Sequence, residues 1–338
     1  MKKVRPDNQF YFQWHFLQEC NLRCKHCYQG NYDKKEFEFS VLQKIADQIF
    51  LALEKWNMYG RIALTGGEPF LSNNLYPLLQ YINDNDRVVS IDILSNGTLI
   101  GENEIRHLKD FHKLHQVQIS LDGGTATEHE FIRGRGTFQK AINAIKLLKS
   151  EGISVSIMFT LSNLNKNSYA KAIELAEREK VDAITIERVT PCGHSDLSSI
   201  LKKEEVKEIY TGITKMANAI PNITIRRARP LWCNTVSLNK LSKATIGGFC
   251  PVGYTSLAIL WDGTVLPCRR LEIPIGNILK DGIFKIWYGS ELLWNIRDKR
   301  NLKGKCRNCE NIPKCGGCRA IAYAVTGDYM ESDPQCWI

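Results

Sequence analysis

From residue 10 to about residue 190, short runs rich in β-branched and aromatic residues alternate with stretches of helical period, and this narrows the fold more than any other feature. The runs 10–17 (FYFQWHFL), 61–65 (RIALT), 88–94 (VVSIDIL), 116–121 (QVQISL), 153–161 (ISVSIMFTL) and 183–189 (AITIERV) read as strands. Between them, 40–56, 76–84, 102–111, 137–150 and 168–180 repeat apolar residues at three and four positions and read as helices. Strands separated by a helix run parallel, because the helix carries the chain back over the sheet in a right-handed crossover. Six such strands are too few for the eight that close a TIM barrel, so residues 1–200 are expected to form a partial (β/α)6 TIM-like barrel. Residues 201–245, with KKEEVKEIYTGITKMANAI, read as a helical bridge. Residues 246–338 read as a small cysteine-rich domain with one hairpin, SLAILWDGTVLPC, turning at Asp262-Gly263. Its cysteine density and weak apolar period suggest metal in place of an apolar core.

Twelve cysteines stand in a chain whose N-terminus shows early positive charge but no apolar signal core or cleavage site. No stretch is long and apolar enough to span a membrane. A reducing, cytoplasmic setting follows, where clustered cysteines bind metal more often than they pair. The formal net charge of +9 favours an acidic partner. The basic residues are dispersed and not interleaved with stacking aromatics, so nucleic acid is not the expected partner.

The loop after the first strand reads CNLRCKHCYQG and carries Cys20, Cys24 and Cys27. It falls at the C-terminal rim of the sheet, where α/β folds place their chemistry. A structural zinc ion takes four protein ligands; an iron–sulfur cluster held by three cysteines keeps one iron free. Further candidates end the following strands: Gly66, Gly67, Glu68 and Pro69 in TGGEPFL, Ser95 and Asn96 in SNGT, Ser120 and Asp122 in SLDGG, and Arg133 in HEFIRGRG.

Cys-x3-Cys-x2-Cys after strand one, with His26 before the last cysteine, resembles the signature of the radical S-adenosylmethionine (SAM) superfamily, and the resemblance runs through the first 190 residues. It implies that Cys20, Cys24 and Cys27 hold a 4Fe–4S cluster whose fourth iron is chelated by the amine and carboxylate of SAM. It implies reductive cleavage of SAM to a 5′-deoxyadenosyl radical that removes a hydrogen atom from substrate. Gly66–Pro69 would hold the methionyl amine, Ser95 and Asn96 the ribose, and Ser120, Asp122 and Arg133 the ribose and carboxylate.

The C-terminal pattern, Cys250-x12-Gly263-x4-Cys268, then Cys306-x2-Cys309-x5-Cys315-x2-Cys318, then Cys336, is similar to the SPASM extension of the same superfamily. It departs in having two residues where the family has three between Cys315 and Cys318. The resemblance implies two auxiliary 4Fe–4S clusters, three in all. The distal one would be held by Cys306, Cys309, Cys315 and Cys336, the nearer one by Cys250, Cys268 and Cys318 with Cys233 as a possible fourth. A zinc ribbon on Cys306, Cys309, Cys315 and Cys318 is the competing reading. Were Cys233 not a ligand, the nearer cluster would have an open iron. Cys192, in ERVTPCGHS after strand six, is either a small buried hydrophobe or a hydrogen-atom donor to a substrate radical.

SPASM relatives mostly modify ribosomally made peptides by crosslinking, thioether formation, oxidation or epimerisation, so a precursor peptide is the expected substrate and a flavodoxin or ferredoxin the reductant. Nineteen residues precede Cys20, which leaves no room for an appended winged-helix domain, so a separate leader-binding protein is expected to read the leader unless the barrel does. The tail CGGCRAIAYAVTGDY also resembles relatives that decarboxylate haem precursors, the alternative substrate class. A non-catalytic iron–sulfur electron-transfer or sensor protein is the remaining alternative, and the SAM-contacting set argues against it.

Overall fold

The computed structural model describes residues 6–33, 35–227, 229–235 and 250–338. The six expected strands form: β1 (Gln9–His15), β2 (Tyr59–Thr65), β3 (Val88–Ser95), β4 (Leu114–Ser120), β5 (Val155–Leu161) and β6 (Ala183–Arg188). Five helices cross between them where helical period predicts: α1 (Phe39–Lys55), α2 (Leu75–Asn83), α3 (Glu102–Leu108), α5 (Thr137–Ser150) and α6 (Tyr169–Arg178). A sixth helix, α4 (Ala126–Arg133), precedes α5. Its start is a capping box in TATE: the Thr125 hydroxyl accepts from Glu128 N–H, and the Glu128 carboxylate accepts from Thr125 N–H. This short helix carries Arg133 to the rim.

β1 shows how alternation builds the barrel. Phe10, Phe12 and Trp14 point outward into the helix layer and are at most 1% exposed, whereas Tyr11 and Gln13 line the interior. Polar residues recur at the inward positions of other strands, including Arg61, Asp92, Gln116, Gln118, Ser120, Thr160 and Glu187. The bore therefore carries polar side chains among its apolar lining.

The bridge and the cysteine-rich segment depart from expectation. After α7 (Lys203–Ala219), β7 (Thr224–Arg226) pairs parallel with β6. The remainder of the predicted bridge, from 236, lies outside the described residues. β8 (Ser256–Ile259) pairs parallel with β1, and the predicted hairpin follows, with β9 (Thr264–Leu266) antiparallel to β8 and Gly263 at φ +81° in its turn. With β10 (Gly276–Asn277) the order is β10-β9-β8-β1-β2-β3-β4-β5-β6-β7, one ten-stranded sheet.

Nor is metal the sole substitute for a core there. Ile278, Ile283, Ile286, Trp287 and Leu293 join the apolar cluster of the barrel, where the Trp287 ring meets Phe10 edge-on at 5.1 Å. A second cluster gathers Val252, Leu271, Ile296, Leu302, Ile321 and Met330. Short helices at 283–289 and 291–297 bring these residues to one side, too briefly for their period to stand out in the sequence. Among the described residues, no helix is long and apolar enough to cross a membrane.

Candidate active site

The cysteine loop is fixed at four points. Gly67 N–H donates to Leu17 C=O at 3.2 Å and Glu68 N–H to Glu19 C=O at 2.8 Å, which docks the β2 rim on the root of the loop. A Cβ on Gly67 would fall 1.9 Å from the Glu19 oxygen, so the Gly-Gly pair is there for close approach of two backbones. Lys25 N–H bonds Ile132 C=O of α4 at 3.0 Å, and His194 N–H bonds Cys27 C=O at 2.7 Å.

Beneath the loop lies a buried triad of hydrogen-bonded side chains. The Asp122 carboxylate meets His26 Nε2 at 2.7 Å and accepts from Arg133 Nε and from Thr160 N–H. Burial alone would raise the Asp122 carboxyl, but the Arg133 guanidinium and His26 outweigh it and hold it well below its usual range. Arg133 Nη1 also reaches Cys24 Sγ at 3.7 Å. Asp122 is wholly buried and does not line the cavity. Its partners Arg133 and His26 do line the cavity.

Glu68 is likewise turned away from the cavity. It is 0% exposed and accepts from Ser95 Oγ at 2.7 Å, from Asn96 N–H at 2.8 Å and from Phe70 N–H. Burial raises it to about 7 against these hydrogen bonds. Its carboxylate joins the β2 rim to the β3 rim, and neither Glu68 nor Pro69 lines the cavity. Gly66, Gly67, Ser95, Asn96 and Ser120 do.

The cavity has a volume of about 920 Å³ and runs from Cys20, Cys24 and Cys27 down the bore and across to Cys250, Cys268 and Cys318. Cys192 lines it between the two trios. Burial, with Glu272 beside it, pushes the Cys192 thiol up to about 12, so it is neutral at physiological pH. Eight arginines line the cavity, among them Arg61, Arg226, Arg229, Arg269 and Arg270; among the described residues only Asp92 and Glu187 line it as carboxylates. The inward polar positions of the strands, visible as alternation in the sequence, are the signal that would have found Arg61, Gln118 and Glu187.

Burial pushes Cys20 up to about 12 and also raises Cys24 and Cys250, so without metal these are neutral thiols that bound iron would deprotonate. Among the described residues, no three His, Cys, Asp or Glu side chains converge on one ion. The C-terminal cysteines divide into two groups. Cys250, Cys268 and Cys318 act electrostatically on one another beside the barrel, and Cys306, Cys309, Cys315 and Cys336 gather beyond.

Cys233 stands with the second group, contrary to its expected place beside Cys250. Its thiol hydrogen-bonds the Cys315 sulfur, which with the Leu231, Gly316 and Gly317 amides lowers Cys315 to about 6. Asn234 beside it donates to Cys336 Sγ at 3.8 Å. The cause is Trp232, wholly buried and stacked on Tyr210 of α7 at 3.7 Å, which pins the segment against the tail.

Comparison with known proteins agrees with this architecture. The family model of the radical SAM superfamily matches residues 14–176, and that of an iron–sulfur cluster-binding domain, SPASM, matches residues 250–310. This chain is a radical SAM protein with a SPASM domain. Its cofactors are accordingly SAM and several 4Fe–4S clusters. It is 28% identical to an AdoMet-dependent heme synthase of Nitratidesulfovibrio vulgaris over 96% of this chain and 90% of that protein. It is 27% identical to the sporulation killing factor maturation protein SkfB of Bacillus subtilis, over 87% of this chain and 67% of that one. Among solved structures, Streptococcus suis SuiB bound to its precursor peptide SuiA superposes with a TM-score of 0.77 at 16% identity, covering 98% of this chain and 76% of SuiB.

Proposed function

We propose that this radical SAM enzyme abstracts hydrogen from a substrate that carries several carboxylates, and that a tetrapyrrole with propionate side chains is that substrate. The observation that carries the reading is the arginine excess of the cavity. Arg61, Arg226, Arg229, Arg269 and Arg270 line it, and among the described residues three carboxylates pair with them: Asp92 with Arg61, Glu187 with Arg229 and Arg270, and Glu272 with Arg269. Such a lining is costly without an anionic occupant, since like charges in a low-dielectric cleft repel.

SAM at the Cys20–Cys27 rim supplies the hydrogen-abstracting radical when its cluster is reduced. Arg133 would receive the carboxylate of SAM, aimed by Asp122. Ser95, Asn96 and Ser120 would bind the ribose, and the Gly66–Gly67 backbone the amine. Arg61, Arg226 and Arg229 would hold substrate carboxylates, with Glu187 fixing Arg229 Nε at 2.7 Å. The relatives support this class: the heme synthases of N. vulgaris and Methanosarcina barkeri match 96% of this chain and at least 90% of their own length.

A precursor peptide is the second reading, favoured by the resemblance to SkfB and to the mycofactocin maturase MftC. An acidic peptide would be drawn by the same arginines. The deciding experiment incubates reconstituted enzyme with SAM and dithionite, and either iron-coproporphyrin III or short peptides encoded beside the gene. Release of 5′-deoxyadenosine with loss of carboxylate from the porphyrin supports the tetrapyrrole. Turnover of a peptide with none of the porphyrin replaces it with the second reading.

A further inference from the structure

Cys250, Cys268 and Cys318 line the barrel cavity, and the structure leaves them without a fourth thiol. Of the twelve cysteines, three belong to the rim loop. Cys233, the expected fourth, is held at the far group by its contact with Cys315 and by Asn234, which bonds both Cys336 Sγ and Asn311 Nδ2. Cys192 remains. Its loop is tied to the other end of the cavity, where His194 N–H bonds Cys27 C=O at 2.7 Å and a Cβ on Gly193 would fall 2.4 Å from that same oxygen. The Cys192 thiol is within electrostatic reach of Glu272, Arg269, Arg270 and Cys268. The segments outside the described residues contain no cysteine, histidine, aspartate or glutamate.

What surrounds the trio on the cavity side is cationic. Arg229 and Arg270 both act on Cys250, and Arg270 acts on all three sulfurs. Both guanidiniums are held in place by Glu187, at 2.7 Å and 3.2 Å. An iron lacking a protein ligand here would face open cavity between two fixed cations, a setting that selects an anionic oxygen donor.

We propose that the cluster nearer the barrel is bound by three thiolates alone and that its fourth iron is a coordination site inside the cavity, taken by a carboxylate of the substrate. Only the identity of that ligand rests on the carboxylate reading above; the open iron stands on the cysteine placement. Substrate would then lie between two cluster sites, its attacked carbon toward the SAM rim and a carboxylate toward Cys250, Cys268 and Cys318. Binding is a ligand exchange at iron and involves no net redox change.

The test uses wild-type holoenzyme saturated with SAM, so that the free iron of the rim cluster is occupied, reduced with dithionite and probed by 13C electron–nuclear double resonance. Added 13C-cyanide is expected to give a hyperfine coupling on an auxiliary cluster, unchanged in Cys192→Ser and Cys233→Ser, and 13C-carboxyl acetate is expected to compete with it. No coupling in the wild type overturns the open site, and a coupling that emerges only in Cys192→Ser or Cys233→Ser identifies the missing ligand and overturns it equally. Cyanide binding without competition by acetate overturns the carboxylate assignment. None of these results bears on the substrate class, which turnover decides.

Discussion

His26 Nε2 in the cysteine loop and Asp122 Oδ2 beyond the end of β4 stand 2.7 Å apart, across ninety-six positions of sequence. Arg133 shares the same carboxylate oxygen. Asp122→Asn keeps the shape and removes the charge, leaving Arg133 buried without its counter-ion. Loss of one partner of a buried pair costs about 3 kcal/mol. SAM affinity should fall roughly tenfold, about 1.4 kcal/mol, because the guanidinium is no longer aimed. All the cysteines remain, so iron content should stay at the wild-type level. Equilibrium dialysis with labelled SAM and an iron assay read the two effects; unchanged SAM affinity would mean that the triad serves folding alone.

Glu68 gives a pH dependence whose sign is opposite to that of most carboxylates. Burial raises its folded-state value from 4.5 to about 7, so the folded protein holds this proton more tightly than the unfolded chain does. Its contribution is therefore greatest below the ordinary glutamate value and declines as pH rises toward 7, by roughly 3 kcal/mol in all. Above that it is flat. Glu68→Gln has no such proton to lose. Anaerobic urea denaturation of the two proteins from pH 4.5 to 7.5 should show the wild type losing stability relative to the variant across that range. A constant difference would show that Ser95, Asn96 and Phe70 keep the carboxylate ionised when folded.

The barrel was legible in the sequence because each strand is a contiguous β-rich run and each crossing helix is long enough to show its period. The rim residues were legible because they sit at strand ends, one short motif per strand. Roles within the rim were less so: Glu68 and Asp122 look like ligand contacts in sequence, but both turn inward to bind neighbouring backbone and side chains. Partnerships set by tertiary packing were invisible. Cys233 precedes Cys250 in the chain, which suggested a shared cluster, yet the stacking of Trp232 on Tyr210 decides where it goes. Likewise β8 gives no local sign that it will pair with β1, since the pairing joins positions more than two hundred residues apart.

Gly67 tests whether close approach of the two rims is needed for cluster loading. Any side chain there must displace the Glu19 carbonyl, which would lie 1.9 Å from the new Cβ. Gly67→Ala should cost more than about 2 kcal/mol, in the range of overpacking and backbone displacement, and should lower the iron bound by the rim cluster. Gly30, at the end of the same loop, has nothing within 4 Å of an added Cβ and no positive φ. Gly30→Ala should load iron like the wild type. Iron per chain and the visible absorbance of the anaerobically purified proteins compare them, and equal loading in both would show that the loop tolerates a shifted rim.

The arginine lining makes its own prediction about charge. Arg61 contributes Nη2 to Asp92 at a long 3.4 Å, and its buried Nε has no hydrogen-bond partner, so it retains donors for a ligand. Arg229 is fixed on Glu187 at 2.7 Å. A charge-assisted hydrogen bond to a carboxylate contributes about 1.5–3 kcal/mol, so Arg61→Gln and Arg229→Gln should each weaken binding of coproporphyrin by roughly tenfold or more. The two arginines are held by different carboxylates, Asp92 and Glu187, so their effects should add. Affinity should also fall with rising salt in the wild type and less steeply in the variants, as charges are removed from the encounter. Titrations followed by the porphyrin absorbance band supply all of these values. Undiminished affinity in the double variant would show that the arginines serve the clusters and not the substrate.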